Sequence, residues 1–227
     1  MVREIPLGRR SLTGRLPSRF GDDLGYESRI ERNALVLLQF DQWLIDIRTQ
    51  PFAITGEGIA RRYTPDILAT WQSAAHSPYG RARAVIEVKD AKTLREQAAR
   101  LEPRFNAIRR HCEEQDMPFV ILSEKQIVTP MLPVAERLLR YWNKVPPQSA
   151  WLSVASAVND QGASATIGSV TLALMENGVS VDVVKPAIYH FLARRLLITD
   201  LNRDIDNQTP LSVPTAAQLY AHANGQL

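Results

Sequence analysis

The stretch Ala84-Val85-Ile86-Glu87-Val88-Lys89 decides the reading of this chain. It is β-branched and apolar enough to be a buried strand, yet it carries an acid and a base two positions apart. Alternation along a strand puts Glu87 and Lys89 on one face and Ile86 and Val88 on the other. Twenty-one positions upstream, in Tyr63-Thr64-Pro65-Asp66-Ile67-Leu68, a second acid follows a proline inside another strand-like run. The interval holds a strand, a reversal and a return, so Asp66 and Glu87 can meet on adjacent strands. An aspartate after a proline can equally end a turn, and an acid and a lysine two apart can equally be a solvated face. The conjunction of the two makes a site.

A third acidic position precedes them. Wound at about 100° per residue, Glu27 to Phe40 collects Ile30, Ala34, Leu37 and Leu38 on one stripe, with Leu35 at its edge. Arg29, Arg32, Asn33 and Gln39 fall on the opposite, solvated side. Glu27 and Glu31 point with the stripe. Glu27 is explained by the open end of the helix, which solvates it and favours its charge. Glu31, one turn further in, requires a partner, because an unpaired buried carboxylate costs several kcal/mol.

Outward from these positions, Leu44 to Pro51 reads as a strand, and Phe52 to Thr55 and Ile59 to Trp71 as two more around a Gly56-Glu57-Gly58 turn. Gln72 to Arg83 reverses the chain. Lys92 to Glu114 is helical with an expected interruption near Pro103, Pro118 to Leu122 is a strand, and Leu132 to Trp142 is a helix. Lys144-Val145-Pro146-Pro147 cannot continue it and marks the expected domain boundary. Beyond it, Trp151 to Val158, Ile167 to Glu176 and a segment from Asp182 to about Arg195 read as helices, with Asn177-Gly178 as a C-cap and Asp182 as an N-cap. Leu196 to Thr199 and Leu211 to Val213 flank the polar turn Asn202 to Asn207 as a small hairpin. Three helices and a hairpin describe a winged helix; a trihelical bundle with a disordered tail is the simpler alternative. The expected organisation is a basic arm over 1–20, an α/β domain with a mixed sheet flanked by helices over 21–147, and a small helical winged-helix-like domain over 148–227.

The chain has 227 residues, 45% hydrophobic and 22% charged, with a net charge of +3. No apolar run of about 18 residues exists, which excludes a membrane-spanning helix, and the N-terminus lacks the apolar core of a secretory signal. The single cysteine, Cys112, excludes an internal disulfide and a cysteine-rich zinc site; a reducing cytoplasm fits. Arg3, Arg9, Arg10, Arg15 and Arg19 face only Glu4 in the first twenty residues, leaving +4 there and −1 for the remainder. Gly8, Gly14, Pro6 and Pro17 make this a poorly ordered arm, suited to a phosphate backbone.

Converging carboxylate oxygens are a site for a hard cation, Mg²⁺ being the usual one and Mn²⁺ a substitute. Without it the carboxylates repel and their pKa values rise. With Asp66 and Glu87 as ligands, Glu31 as ligand or base, and Lys89 stabilising developing negative charge, the set can direct water at a phosphodiester. That is a nuclease constellation read from the residues alone.

Pro65-Asp66, twenty intervening residues and Glu87-Val88-Lys89 resemble the PD-(D/E)xK motif of restriction-endonuclease-like nucleases. Together with Glu27-Ser28-Arg29-Ile30-Glu31-Arg32, Leu37-Leu38-Gln39-Phe40-Asp41, Gln50-Pro51 and Tyr63-Thr64-Pro65-Asp66, they resemble, in order and spacing, the TnsA family over about residues 8–142. TnsA proteins are endonuclease subunits of heteromeric cut-and-paste transposases. The resemblance implies a restriction-endonuclease-like fold, catalytic positions at Glu31, Asp66, Glu87 and Lys89, and cleavage of the 5′ strands at transposon ends. It also implies a TnsB-like DDE transposase and a TnsC-like AAA+ ATPase as partners, the latter at the C-terminal region. Some relatives carry glutamine where Glu87 stands.

Other signals are weaker. His111, beside Cys112, Glu113 and Glu114, is a charged helix end rather than a metal site, and His76, His190 and His222 have no ligand spacing. No phosphate-binding loop exists, so any ATP dependence belongs to a partner. Arg9, Arg10, Arg15, Lys92 and Arg95 are the expected DNA contacts. Lys185, Tyr189, His190 and Arg194 can mark a helix facing DNA or a partner protein. A stand-alone restriction or repair nuclease of the same fold, and a non-catalytic winged-helix adaptor, are the rival readings.

Overall fold

A computed structural model describes residues 12–56, 59–216 and 218. The chain divides between Val128 and Thr129 into two compact units. The boundary expected from the sequence lies further on, at Pro146-Pro147. After the short α4 (Glu124–Ile127), α5 (Met131–Leu139), with Leu132, Val134, Ala135 and Leu138 buried, packs within the second unit.

The first unit is built on a mixed four-stranded sheet in the order β3 (Leu44–Thr49), β6 (Ile67–Trp71), β7 (Arg83–Val88) and β8 (Phe119–Leu122). The β3–β6 and β6–β7 pairs are antiparallel and β7–β8 is parallel. A parallel neighbour needs a crossover, supplied by α2 (Ala91–Glu96) and α3 (Ala98–Glu113). Alternation then gives the sheet two apolar faces. Ala84, Ile86 and Val88 join Ile67, Ala69 and Trp71 against Ala34, Leu35 and Leu38 of α1 (Arg29–Phe40). Val85 and Leu68 join Leu101, Phe105, Ile108 and Cys112 of α3 on the other side. A helix on each face buries β7 from Ala84 to Val88, which is why its central residues are so largely apolar.

Several sequence expectations change in detail. Ile59 to Trp71 is two strands, not one. β5 (Ile59–Tyr63) pairs only with β4 (Ile54–Gly56) in a separate hairpin, and the chain re-enters the main sheet as β6 after Thr64-Pro65-Asp66. Pro65 has no N–H to give a ladder, so the break falls there. The helix break expected near Pro103 falls at Gln97 instead, whose backbone (φ −114°, ψ 16°) leaves the helical region; Pro103 is accommodated inside α3.

The second half of the expected arm is ordered. β1 (Gly14–Ser18) and β2 (Gly21–Tyr26) form an antiparallel hairpin. Arg19, at its turn, donates through Nη2 to the carbonyls of Asp41 (2.6 Å) and Leu44 (2.7 Å), and its N–H reaches Gln39 Oε1 at 2.9 Å. Gln39 is accordingly 2% exposed rather than solvated.

In the second unit α5 is followed by α6 (Gln148–Gln161), α7 (Ile167–Glu176) and α8 (Val181–Ala193). Asn177 is the C-cap of α7 as expected, and Gly178 follows at φ +83°. Ser180, not Asp182, caps α8, accepting from the Asp182 N–H. The expected hairpin is reduced to isolated bridges: Ile198 pairs antiparallel with Ser212, and Thr166, just before α7, with Pro210.

Replacing Leu35 by alanine empties a fully buried position between α1 and the sheet and is expected to cost about 2–5 kcal/mol in urea unfolding. Arg29→Ala, on the exposed side of the same helix, is expected to stay within about 0.5 kcal/mol. Equal effects would show that α1 is not docked as described.

Candidate nuclease site

The site grows from the β6–β7 register. Ile67 pairs with Ile86 and Leu68 with Val85, so one step beyond the end of β6 Asp66 lies opposite Glu87. Directly opposed residues of an antiparallel pair share a face. Asp66 is held there by its own carboxylate, since Oδ2 accepts the Val88 N–H at 2.7 Å. On its other side its carbonyl accepts from the Gln50 N–H at 2.9 Å.

Glu87 is 3% exposed. Its Oε2 accepts a short hydrogen bond from the Tyr63 hydroxyl, and its Oε1 lies 3.5 Å from Lys89 Nζ. The lysine keeps about a third of its side chain open to solvent. Its backbone N–H is tied to the Leu122 carbonyl at 2.9 Å, continuing the β7–β8 ladder. Tyr63 is itself 3% exposed, and the Arg104 guanidinium lies over its ring, 4.1 Å from the centroid.

Glu31 enters from α1. Ser28 caps that helix by accepting the Glu31 N–H at 3.2 Å. Glu31 answers with both oxygens: Oε1 accepts from the Ser28 hydroxyl at 2.9 Å and Oε2 from the Glu27 N–H at 2.8 Å. The partner that its position demanded is thus the open end of its own helix. Glu27 Oε1 accepts from Gln50 Nε2 at 3.0 Å.

The electrostatics show which groups feel one another. Burial, and next the Glu87 carboxylate, push Asp66 up to about 8; Glu31 adds to the rise, while the Val88 N–H and Lys89 oppose it. Burial also raises Glu31 above the ordinary carboxylate range, against the Glu27 N–H, the Ser28 hydroxyl and Lys89. Tyr63 is raised far above the ordinary phenol by burial and by Glu87, so it remains a donor. Three acids in this setting share one ammonium.

A hard cation suits the donor set of Asp66 and Glu87, two carboxylates short of positive charge. Among the described residues no group of three or more His, Cys, Asp and Glu gathers to hold a metal ion. Two carboxylates with water and phosphate oxygens completing the shell is the usual habit of Mg²⁺.

The remaining expected site residues are dispersed. Arg9 and Arg10 lie outside the described residues. Arg15 is exposed on β1, and Lys92 and Arg95 are exposed on α2, Lys92 within 3.9 Å of Glu96. In α8, Lys185 Nζ donates to Asn207 at 3.2 Å, the Tyr189 ring packs on Tyr141, and the exposed Arg194 lies over Trp142. His190 does not face outward. It is 5% exposed, with Nδ1 at 2.9 Å from the Tyr141 carbonyl. Sequence reasoning missed Tyr63, although a phenol just ahead of Pro65-Asp66 was a usable signal. It also missed the mutual bonding of Ser28 and Glu31 at the start of α1, whose Ser-x-x-Glu spacing was legible as a pattern.

A mixed sheet flanked by helices, with paired acids and a lysine where β6 and β7 end, defines a nuclease-like α/β domain. Residues 41–124 match the family described as TnsA-like endonuclease N terminal, so this stretch is similar to the TnsA-like endonuclease domain. The matched residues carry Asp66, Glu87 and Lys89; α1 with Glu31 lies before them. No curated protein matches the chain. No helix among the described residues is long and apolar enough to cross a membrane.

The raised Asp66 gives a signed pH dependence. A carboxyl near 8 in the fold and near 3.9 unfolded keeps its proton where the unfolded chain has lost it. Stability is therefore fullest at about pH 4 and falls as pH rises toward 8, by up to about 1.4 kcal/mol per pH unit. Urea midpoints measured in chelator across that range are expected to fall for the unmodified chain and to flatten for Asp66→Asn. Parallel curves would show Asp66 already ionised in the fold.

Proposed function

We propose that this protein is the Mg²⁺-dependent DNA endonuclease subunit of a TnsA-type transposase, cleaving the 5′ strands at transposon ends. The observation that carries the reading is the meeting of Asp66, Glu87 and Lys89 within the stretch that matches a TnsA-like endonuclease domain. Their order and spacing support membership of the PD-(D/E)xK group.

In this reading Asp66 and Glu87 hold the cation, which supplies Lewis-acid charge at the scissile phosphate and lowers the pKa of attacking water. Asp66 is kept in position by the Val88 N–H. Lys89, partly open to solvent at the end of the strand, brings an ammonium to the negative charge that develops on the phosphoryl oxygens. Glu31 contributes a first-turn negative charge felt by Asp66 and Lys89 and serves as ligand or base where it exchanges its helix-cap bonds. Arg9, Arg10, Arg15, Lys92 and Arg95 are proposed to lie along the DNA backbone.

A TnsB-like DDE transposase and a TnsC-like AAA+ ATPase are the proposed partners. The bridges of Thr166 with Pro210 and Ile198 with Ser212, interleaved with α6, α7 and α8, support a winged-helix-like reading of the second unit. Lys185, Tyr189 and Arg194, all on or just after α8, are its proposed docking positions.

Strand cleavage at transposon ends, assayed with the partner subunits present, tests the proposal. Asp66→Ala, Glu87→Ala and Lys89→Ala are each expected to reduce it by at least about 100-fold while the chain stays folded by circular dichroism. Retained cleavage by the aspartate or glutamate variant would overturn the assignment, and efficient digestion of plain plasmid by the isolated chain would favour a stand-alone nuclease.

A second comparison separates charge from capping at α1. Glu31→Gln keeps a capping side chain but removes the charge, and is expected to preserve stability and lose cleavage. Ser28→Ala is expected to cost about 1 kcal/mol of stability and keep cleavage. Wild-type cleavage by Glu31→Gln would reduce Glu31 to a helix cap.

A further inference from the structure

Glu87 is the most buried acid of the site, and its two oxygens have different neighbours. Oε1 faces Lys89 Nζ at 3.5 Å, while Oε2 is taken by the Tyr63 hydroxyl. Tyr63 ends β5, the strand that leaves the main sheet and pairs with β4 alone, and it re-joins the site from the α3 side. It belongs to the same buried cluster as Val85, Leu101 and Phe105, and its ring is covered by the Arg104 guanidinium. Among the described residues Tyr63 is the hydrogen-bond donor that Oε2 meets. A buried carboxylate with one oxygen anchored has a single oxygen left to turn outward, and its plane is fixed by the anchor. Carboxylates that ligate metals are commonly oriented in this way by a hydrogen-bond donor behind them.

We propose that Tyr63 is a positioning residue. Its hydroxyl fixes the rotamer of Glu87 so that Oε1, and not Oε2, is presented to a divalent cation beside Asp66, and Arg104 steadies the ring that carries the hydroxyl. The break in the chain at Pro65 gains a purpose here. It lets the residues immediately before the strand aspartate turn out of the sheet and return a side chain to the facing glutamate. The inference rests on the two-carboxylate reading of the site, and goes beyond it by assigning the group that orients one of the two.

The test is a calorimetric titration of Mn²⁺ into the full-length protein. The unmodified chain is expected to bind, and Tyr63→Phe, checked for folding by its thermal transition, to bind about 10–100-fold more weakly. Asp66→Asn serves as the control for the site itself. A folded Tyr63→Phe variant with unchanged affinity overturns the positioning role and leaves the two-carboxylate reading standing. Absence of Mn²⁺ binding by the unmodified chain overturns both. Loss of the hydroxyl strands a buried carboxylate oxygen, so unfolding of Tyr63→Phe is answered with 3,5-difluorotyrosine at position 63, which keeps the ring and its hydroxyl and makes the phenol more acidic through two small ring fluorines. A displaced Mn²⁺ affinity in that protein supports the role, and a superimposable titration overturns it.

Discussion

The antiparallel pairing of Ile67 with Ile86 fixes almost everything that follows, because one step further along the same ladder the chain has placed an aspartate opposite a glutamate. Two carboxylates brought together out of water repel, and neither leaves the site to escape the other. Asp66 is held by the Val88 N–H, a ladder-like bond made by a side chain where Pro65 has interrupted the backbone pattern. Glu87 is held by the Tyr63 hydroxyl and Lys89. The repulsion is therefore built into the scaffold and shows itself as the proton that Asp66 retains to about pH 8.

Such an arrangement is tolerated only because the sheet beneath it is stabilised independently. Each face of β7 is covered by its own helix, with Leu35 and Leu38 of α1 on one side and Leu101, Phe105 and Ile108 of α3 on the other. Burial of side chains of this size is worth about 1.5–3 kcal/mol each, so a few of them outweigh one uncomfortable carboxylate. In the proposed reading, a cation that replaced the proton on Asp66 would turn the same repulsion into binding energy.

The strands that carry the site were legible in the sequence, because a strand buried on both faces must be apolar, and the polar residues within it then stand out. Glu87, Lys89 and Asp66 were found on that ground, and the helix over Glu27 to Phe40 by its spacing. What was not legible depended on partners distant in the chain. Ile59 to Trp71 has unbroken strand composition, and only the departure of β5 to pair with β4 reveals that Pro65 ends one sheet and opens another. Gln39 falls on the polar side of α1 by its angle, yet the β1–β2 hairpin covers it. Glu31 showed the opposite failure. Its need for a partner was inferred correctly, but the partner was local, in the first turn of its own helix.

Arginines show the same limit in terms of charge. A count of the first twenty residues treats Arg15 and Arg19 alike, as cations on an arm. In the structure the chain leaving α1 exposes the carbonyls of Asp41 and Leu44 side by side, and the planar guanidinium of the residue directly after β1 meets both. Arg19 is consumed in closing that end of the helix, and Arg15 on the neighbouring strand stays exposed. Arg104 is divided between the two uses, exposed on α3 while its guanidinium lies over the ring of the tyrosine that anchors Glu87. Whether a basic residue serves structure or a phosphate backbone is decided by the acceptors within its reach, and those are set by the fold, not by the net charge of the segment that carries it.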